Sequence, residues 1–222
     1  MPNHSSNILP PLILASASPR RSELLKRIGI PFETLSAELV EDDLINGLKQ
    51  ENPKAITFDF AKSAALSLAR GKSKTILKER PDCLVIGADT LVSTEREILG
   101  KPSGPEEAAG MLRSLCGRTH RVYTAVCLLG NGIDWEFCSE TSVTFHSLDI
   151  FQEALIRRYI LSGSPCDKAG GYGIQDLGSL LISGINGDYY TVVGLPLSEL
   201  ARKLFSLGYH PVDEQGGLLC PD

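Results

Sequence analysis

Apolar and polar positions alternate along this chain in two periods, and the switches between them predict a mixed α/β domain. Leu12 to Ala15 is a short apolar run of the buried-strand type, and Pro19 with the pair Leu24–Leu25 reads as the first turns of a helix ending near Gly29. Pro31 to Leu35 reads as a short strand, and the apolar positions from Pro53 to about Ala69 fit a long helix with one buried face, closed by Gly71 and the lysines after it. Leu84-Val-Ile86 is the continuous aliphatic run of a central strand, with Asp89-Thr90 at its C-terminal end. A hairpin over Leu91–Leu99, a helix over Pro105–Leu115 and two long strands, Thr119–Leu129 and Trp135–Phe145, joined across Asn131-Gly132, come next. Asp149 to Ile160 is an amphipathic helix, Asp167 to Gln175 is a glycine-rich loop, and Leu180–Ile182 and Tyr189–Val193 predict two more strands around Asn186-Gly187. Pro196 to Leu207 closes the pattern as a helix. On this reading residues 1–11 are a flexible leader, 12–207 the folded domain and 208–222 a C-terminal tail.

Composition narrows the picture without redirecting it. The 222 residues are 42% hydrophobic and 22% charged, ordinary values for a globular protein of one domain or two small lobes. A formal charge of −5 gives no global attraction to nucleic acid or to an anionic membrane, so any grip on phosphate must be built locally from a few placed cations. The six cysteines show no Cys-x-x-Cys pair and no histidine at zinc-finger spacing, and read as reduced thiols of an intracellular protein. No apolar run approaches the roughly 20 residues of a membrane span, and no charged region precedes an apolar one at the N-terminus, so cytoplasm is the expected location.

Four stretches carry candidate chemistry. Ser16, Ser18, Arg20 and Arg21 lie where a strand empties into a helix N-terminus, which leaves backbone N–H groups aimed outward and favours an anion. The plainer reading of the same residues is a serine cap followed by two solvated arginines. Asp89-Thr90 places a carboxylate after a buried strand, where it is costly unless paired, ligated or working; otherwise it caps the next turn. The acidic run Glu38, Glu41, Asp42, Asp43 is a solvated loop, or else supplies a carboxylate to a divalent cation near the phosphate site. Gln175, beside glycines, is suited to reading a base edge. Neither a dinucleotide-binding nor a P-loop fingerprint is present, and no nucleophile elbow.

Six motifs in order, Leu-Ala-Ser-x-Ser-Pro-Arg-Arg at 14–21, Ile-Gly-Ala-Asp-Thr at 86–90, Gly-Lys-Pro at 100–102, Gly-Arg-Thr-His at 117–120, Asp-Lys-Ala-Gly-Gly-Tyr-Gly-Ile-Gln at 167–175 and Asn-Gly-Asp-Tyr-Tyr-x-Val-Val-Gly-Leu-Pro at 186–196, closely resemble the Maf family of nucleoside-triphosphate pyrophosphatases. The resemblance implies a mixed, curved central sheet with flanking helices and two lobes around a cleft, of the inosine-triphosphate-pyrophosphatase-like kind. It implies cleavage between the α and β phosphates to a nucleoside monophosphate and pyrophosphate, with a divalent cation, magnesium or manganese. One branch of the family is similar to house-cleaning enzymes for dTTP, UTP and some modified pyrimidine nucleotides; another prefers 7-methyl-GTP. Arg20, Thr90 and Gln175 match the pyrimidine branch. The alternative is a nucleotide-binding or regulatory protein without turnover.

Carried over by position, Asp89 resembles the family's general base, Ser16, Ser18, Arg21 and Lys101 match positions that hold the triphosphate, and Glu41 falls near a metal-associated acid, with Asp89 itself near the cation. Family members are often dimers, which leaves a homodimer open. One departure stands out: relatives carry Ala-x-x-Lys-Ala in the long helix, and the run Ala61-Lys-Ser-Ala-Ala65 has Ala64 where that lysine belongs, so Lys62 substitutes or the contact is missing.

Overall fold

The computed structural model describes residues 9–39, 57–212 and 217. In chain order its elements are β1 (Leu12–Ala15), α1 (Pro19–Lys26), β2 (Glu33–Leu35), α2 (Thr57–Glu79), β3 (Leu84–Ser93), β4 (Ile98–Leu99), α3 (Pro105–Leu115), β5 (Thr119–Gly130), β6 (Ile133–Phe145) and α4 (Ile150–Leu161). Short 3-10 turns at Ser164–Asp167, Ala169–Gly171 and Leu177–Leu181 lead to β7 (Ile182–Asn186), α5 (Tyr189–Val193) and α6 (Leu197–Ser206). The strands form one mixed, unclosed sheet in the order β2-β1-β3-β5-β6-β7, with β4 also on β3. β1 runs parallel to β2 and β3, and every other pairing is antiparallel. The expected α/β class with a mixed sheet and flanking helices is what the chain adopts.

Helix α2 covers one face of the sheet. Its Phe60, Ala61, Ala64, Ala65, Leu68 and Ala69 pack on Leu91, Tyr123, Ala125 and Cys127, all on odd positions that share that face. The other face buries Leu14, Ile86, Ala88, Val126 and Leu128 under residues of α1 and α6. At the far end of the sheet α3 and α4 pack on Val122, Val143 and Phe145. Tyr209, in the segment read as tail, is buried in this framework and donates from its hydroxyl to the Pro10 carbonyl at 2.7 Å.

The strand expected at Leu180–Ile182 is shifted, with Leu180 and Leu181 in the 3-10 turn and β7 beginning only at Ile182, and three further expectations need correction. First, α2 runs on to Glu79 instead of closing at Gly71. A lone interior glycine costs about 1 kcal/mol, and the buried stripe simply continues through Leu68, Ala69, Ser73 and Ile76. Second, Tyr189–Val193 is a helix, not the second strand of a hairpin with β7. Asp188 caps it by accepting from the Tyr190 N–H at 3.1 Å, and a five-residue apolar run has no period that separates strand from helix.

Third, Asp89 and Thr90 do not follow a strand but sit inside one, and the reason explains the position of the cleft. β1 pairs with β3 only as far as Ala15 opposite Gly87, then turns away into α1. β4 takes up the same edge of β3 at Val92 opposite Leu99. Between these two pairings the edge from Ala88 to Leu91 has no strand partner among the described residues, while its other edge stays paired with β5. Side chains on successive strand residues point to opposite faces, so this gap lets both Asp89 and Thr90 reach one cleft.

Close approach of α2 to β3 depends on Gly87. A Cβ there would collide with the Ala69 carbonyl oxygen and Ser73 Oγ and stand 3.0 Å from the Ser73 backbone nitrogen. Ser73, itself fully buried, donates to the Cys127 carbonyl at 3.0 Å and pins the helix across β3 onto β5.

Candidate active site

The cleft has a volume of about 1540 Å³. Its floor is the gap in β3, one wall is the β1–α1 turn, and the other is the glycine-rich loop with the segment after β4. Ser16, Ser18, Arg20, Arg21, Asp89, Thr90, Lys101 and Gln175 all line it. These residues come from four separate motifs, far apart in sequence, that meet at one place. Glu41 lies outside the described residues.

At the β1–α1 turn, Ser18 occupies the N-cap position with Pro19 next, yet its hydroxyl makes no capping bond. Its N–H instead donates to Ser16 Oγ at 3.2 Å, and Ser16 Oγ also receives Arg21 Nη1 at 3.4 Å. Arg21 Nε donates to the Gly194 carbonyl at 2.9 Å and Nη2 to Thr90 Oγ1 at 3.0 Å. The forked guanidinium is thus set by oxygen acceptors from three parts of the chain. Arg20 reaches the opposite wall, with Nη1 on Asp167 Oδ2 at 3.1 Å. Lys101 has no ion-pair partner among the described residues.

The lysine expected at Ala64 or Lys62 is at neither. Ala64 is fully buried in the α2 core, and Lys62 is exposed, with its charge felt by Cys138 of β6 and no place in the cleft lining. Lys72 is the lysine of this helix that lines the cleft: its Nζ is 2.5 Å from Asp89 Oδ1, and the two side chains are only 12% and 8% exposed. The Ala-x-x-Lys spacing recurs at Ala69-Arg-Gly-Lys72, about two helical turns past Ala61, and reading the helix through Gly71 would have found it. Arg70 anchors the same turn of α2 to β6, at 2.7 Å from Asp134 and 2.8 Å from Glu136.

The glycine-rich loop is held rigid from behind. The Gly173 N–H donates to the Tyr159 hydroxyl at 2.9 Å, and that hydroxyl donates to Asp176 Oδ1 at 2.7 Å. Ser164 Oγ donates to Asp176 Oδ2 at 2.8 Å, and the Gly178 N–H to Oδ1 at 2.9 Å. Partial burial pushes the Asp176 carboxyl up, but Tyr159, Gly178, Ser164 and Lys168 together outweigh it and leave it below the ordinary carboxylate range. Gln175 sits exposed between these anchors. The loop is also tied to the cleft mouth by the Gly170 N–H, which donates to the Gly100 carbonyl at 3.0 Å beside Lys101. His120, buried in β5, shares a hydrogen bond of 2.7 Å with the Tyr172 hydroxyl, and burial lowers its pKa to about 4.

No three of the described His, Cys, Asp and Glu residues converge as a metal cage. A hard cation such as magnesium binds through one or two carboxylates and completes its shell with water and phosphate oxygens, and Asp89 on the cleft floor fits that sparse requirement.

A mixed α/β protein with an enclosed lysine–carboxylate pair and two placed arginines lining one cleft is of the class that binds a polyanionic ligand. The comparisons specify the family. A sequence profile described as Maf-like protein matches residues 11–207. A protein of Bacillus cereus (strain ZK / E33L) named dTTP/UTP pyrophosphatase is 43% identical over 193 residues, which cover 87% of this chain and 93% of that one. A protein of the same name from Bacillus thuringiensis subsp. konkukian (strain 97-27) is 42% identical over 193 residues, with the same coverage of 87% and 93%. The chain belongs to the Maf family.

Proposed function

We propose that the chain is a nucleoside-triphosphate pyrophosphatase that hydrolyses dTTP, UTP and related modified pyrimidine nucleotides to the monophosphate and pyrophosphate. The observation that carries this reading is the enclosed Asp89–Lys72 pair in the same cleft as Arg21, in a chain more than two-fifths identical to proteins of that name. Hydrolysis of a phosphoanhydride needs an oriented water and neutralisation of charge on the leaving group. Asp89 orients the attacking water and takes its proton, and Lys72 fixes the carboxylate in place. Arg21, Ser16, Ser18 and Lys101 grip the phosphate chain, and the positive end of the α1 dipole adds to their attraction. Gln175 and Arg20 act in base selection, with Arg20 held toward the cleft by Asp167.

A divalent cation, magnesium or manganese, would be held by Asp89 and phosphate oxygens, and when bound it offsets phosphate charge and lowers the pKa of a coordinated water. The cytoplasm is the proposed location. It is supported by Cys83, Cys116, Cys127, Cys138 and Cys166 being free thiols, and among the described residues no helix is long and apolar enough to cross a membrane.

Asp89→Asn tests the assignment of the base. Turnover of UTP and dTTP falls by at least a hundredfold while nucleotide binding persists, since the amide keeps the shape and loses the proton acceptor. Near-normal turnover in this variant would remove Asp89 from the chemistry.

A further inference from the structure

A hydrogen-bond chain runs from the cleft into the core. Arg21 Nη2 donates to Thr90 Oγ1 at 3.0 Å, Thr90 Oγ1 lies 2.9 Å from Thr124 Oγ1, and Thr124 Oγ1 donates to the Thr191 carbonyl at 2.7 Å. Each hydroxyl has one proton to give, a carbonyl can only accept and a guanidinium can only donate. The Thr124 proton is therefore committed to Thr191, the Thr90 proton to Thr124, and Thr90 faces Arg21 as an acceptor. The polarity of the chain is fixed from both ends.

Helix α5 is the far end of this chain and touches Arg21 by a second route. Thr191 and Gly194 bracket its last turn: the Thr191 carbonyl holds Thr124, and the Gly194 carbonyl accepts Arg21 Nε directly at 2.9 Å. Thr191 is itself fixed, with its N–H on the Asp188 carbonyl at 3.1 Å and its Oγ1 donating to Asp188 Oδ2 at 3.2 Å while lying 2.7 Å from Ser139 Oγ. Thr124 and Thr191 are both fully buried, out of reach of bulk solvent.

We propose that Thr124, a buried residue of β5 outside the cleft lining, is a positioning residue for the phosphate grip: it holds Thr90 in the orientation that accepts from Arg21 and so aims the guanidinium into the cleft. Thr90 then serves chiefly to orient Arg21, not to donate to a nucleotide base. This rests on the reading of Arg21 as a phosphate ligand given above. Replacing Thr124 by valine keeps volume and β-branching but removes the acceptor for Thr90 and the donor for Thr191. The Thr90 proton is then free to rotate toward the guanidinium and oppose it.

The test compares Thr124→Val with Thr124→Ser in the full chain, reading kcat and KM for UTP and dTTP and competitive inhibition by inorganic tripolyphosphate, which has phosphates and no base. In Thr124→Val, KM rises and tripolyphosphate inhibition weakens by the same factor, roughly 5- to 30-fold as for one lost buried hydrogen bond, with the ranking of the two nucleotides unchanged. Thr124→Ser stays within about twofold of the parent, because the hydroxyl chain is intact. If valine and serine variants behave alike, or if valine changes the nucleotide ranking but not tripolyphosphate inhibition, the positioning role is overturned. Should the valine variant fail to fold, Thr124→Cys, whose thiol is a weak donor and acceptor, carries the same comparison. Arg21→Ala separates the two kinds of failure. Undiminished substrate use there removes the phosphate role of Arg21, and this proposal with it; a crippled Arg21→Ala beside a normal Thr124→Val overturns the positioning role alone.

Discussion

Gly87→Ala is a one-carbon change outside the cleft that should cost both stability and activity. The added Cβ meets the Ala69 carbonyl and Ser73 Oγ well inside van der Waals distance, and the Ser73 backbone nitrogen at 3.0 Å. Two of these atoms belong to helix backbone, so no side-chain rotation relieves the clash and α2 has to retreat from β3 by roughly 1 Å. Overpacking of this kind costs about 1–3 kcal/mol, or roughly 3–10 °C in Tm for a domain of this size. Lys72 adjoins Ser73 on the displaced turn and Asp89 is two residues from Gly87 on the same face, so the 2.5 Å Lys72–Asp89 contact lengthens with the retreat. If the pair acts as proposed, a displacement of about 1 Å lowers turnover by roughly 100-fold. Denaturant unfolding gives the first quantity and steady-state kinetics with UTP the second. A Gly87→Ala protein within about 0.5 kcal/mol of the parent and with normal kcat would refute the claim that helix-to-strand approach sets the pair.

Three other outcomes follow from the surroundings of the cleft. Tyr159→Phe deletes the hydroxyl that joins Gly173 to Asp176, leaving a loop N–H without its partner; unfolding should detect a loss of about 1–3 kcal/mol, and competition between UTP and other nucleotides a blunted preference. Gln175→Ala, at an exposed position that holds nothing else in place, should leave Tm unchanged and shift the ranking of nucleotides more than the overall rate, as parallel kinetics on a nucleotide panel would read. His120 is neutral in the fold, with its pKa lowered by burial from 6.5 to about 4. Because the unfolded chain binds the proton first, this group contributes full stability above about pH 6.5 and loses it as pH falls toward 4, about 3 kcal/mol in all. Thermal unfolding from pH 8 to pH 4 should show that loss, and His120→Gln should flatten it.

Most of this was legible in the chain because periodicity and local turn chemistry carried it. The hairpin at Asn131-Gly132 forms with Asn131 at φ 50° and Gly132 at φ 77°, as a two-residue hairpin turn requires. Helix α3 begins at Pro105 and ends at Leu115 as its pattern predicts. The misreadings share a cause, which is that tertiary packing overrode local signals. Gly71 looked like a helix end because the strands that cover its turn are far away in sequence, and stopping there hid Lys72. Tyr189–Val193 looked like a strand because its burial comes from β5 and β6, not from its own period. Asp89 reads as a strand end from local sequence, since nothing local shows that β5 extends β3 past the point where β1 leaves it. The eight described candidate residues nonetheless meet in one cleft, since each belongs to a local motif whose chemistry suits part of a nucleotide, phosphate or base.

Identification of the products tests the central claim most directly. Incubation with UTP or dTTP and magnesium or manganese, followed by chromatography and a pyrophosphate assay, should yield the nucleoside monophosphate and pyrophosphate in equal amounts, with release abolished in Asp89→Asn. Nucleoside diphosphate with inorganic phosphate, or bound but uncleaved nucleotide under every condition, would contradict the account.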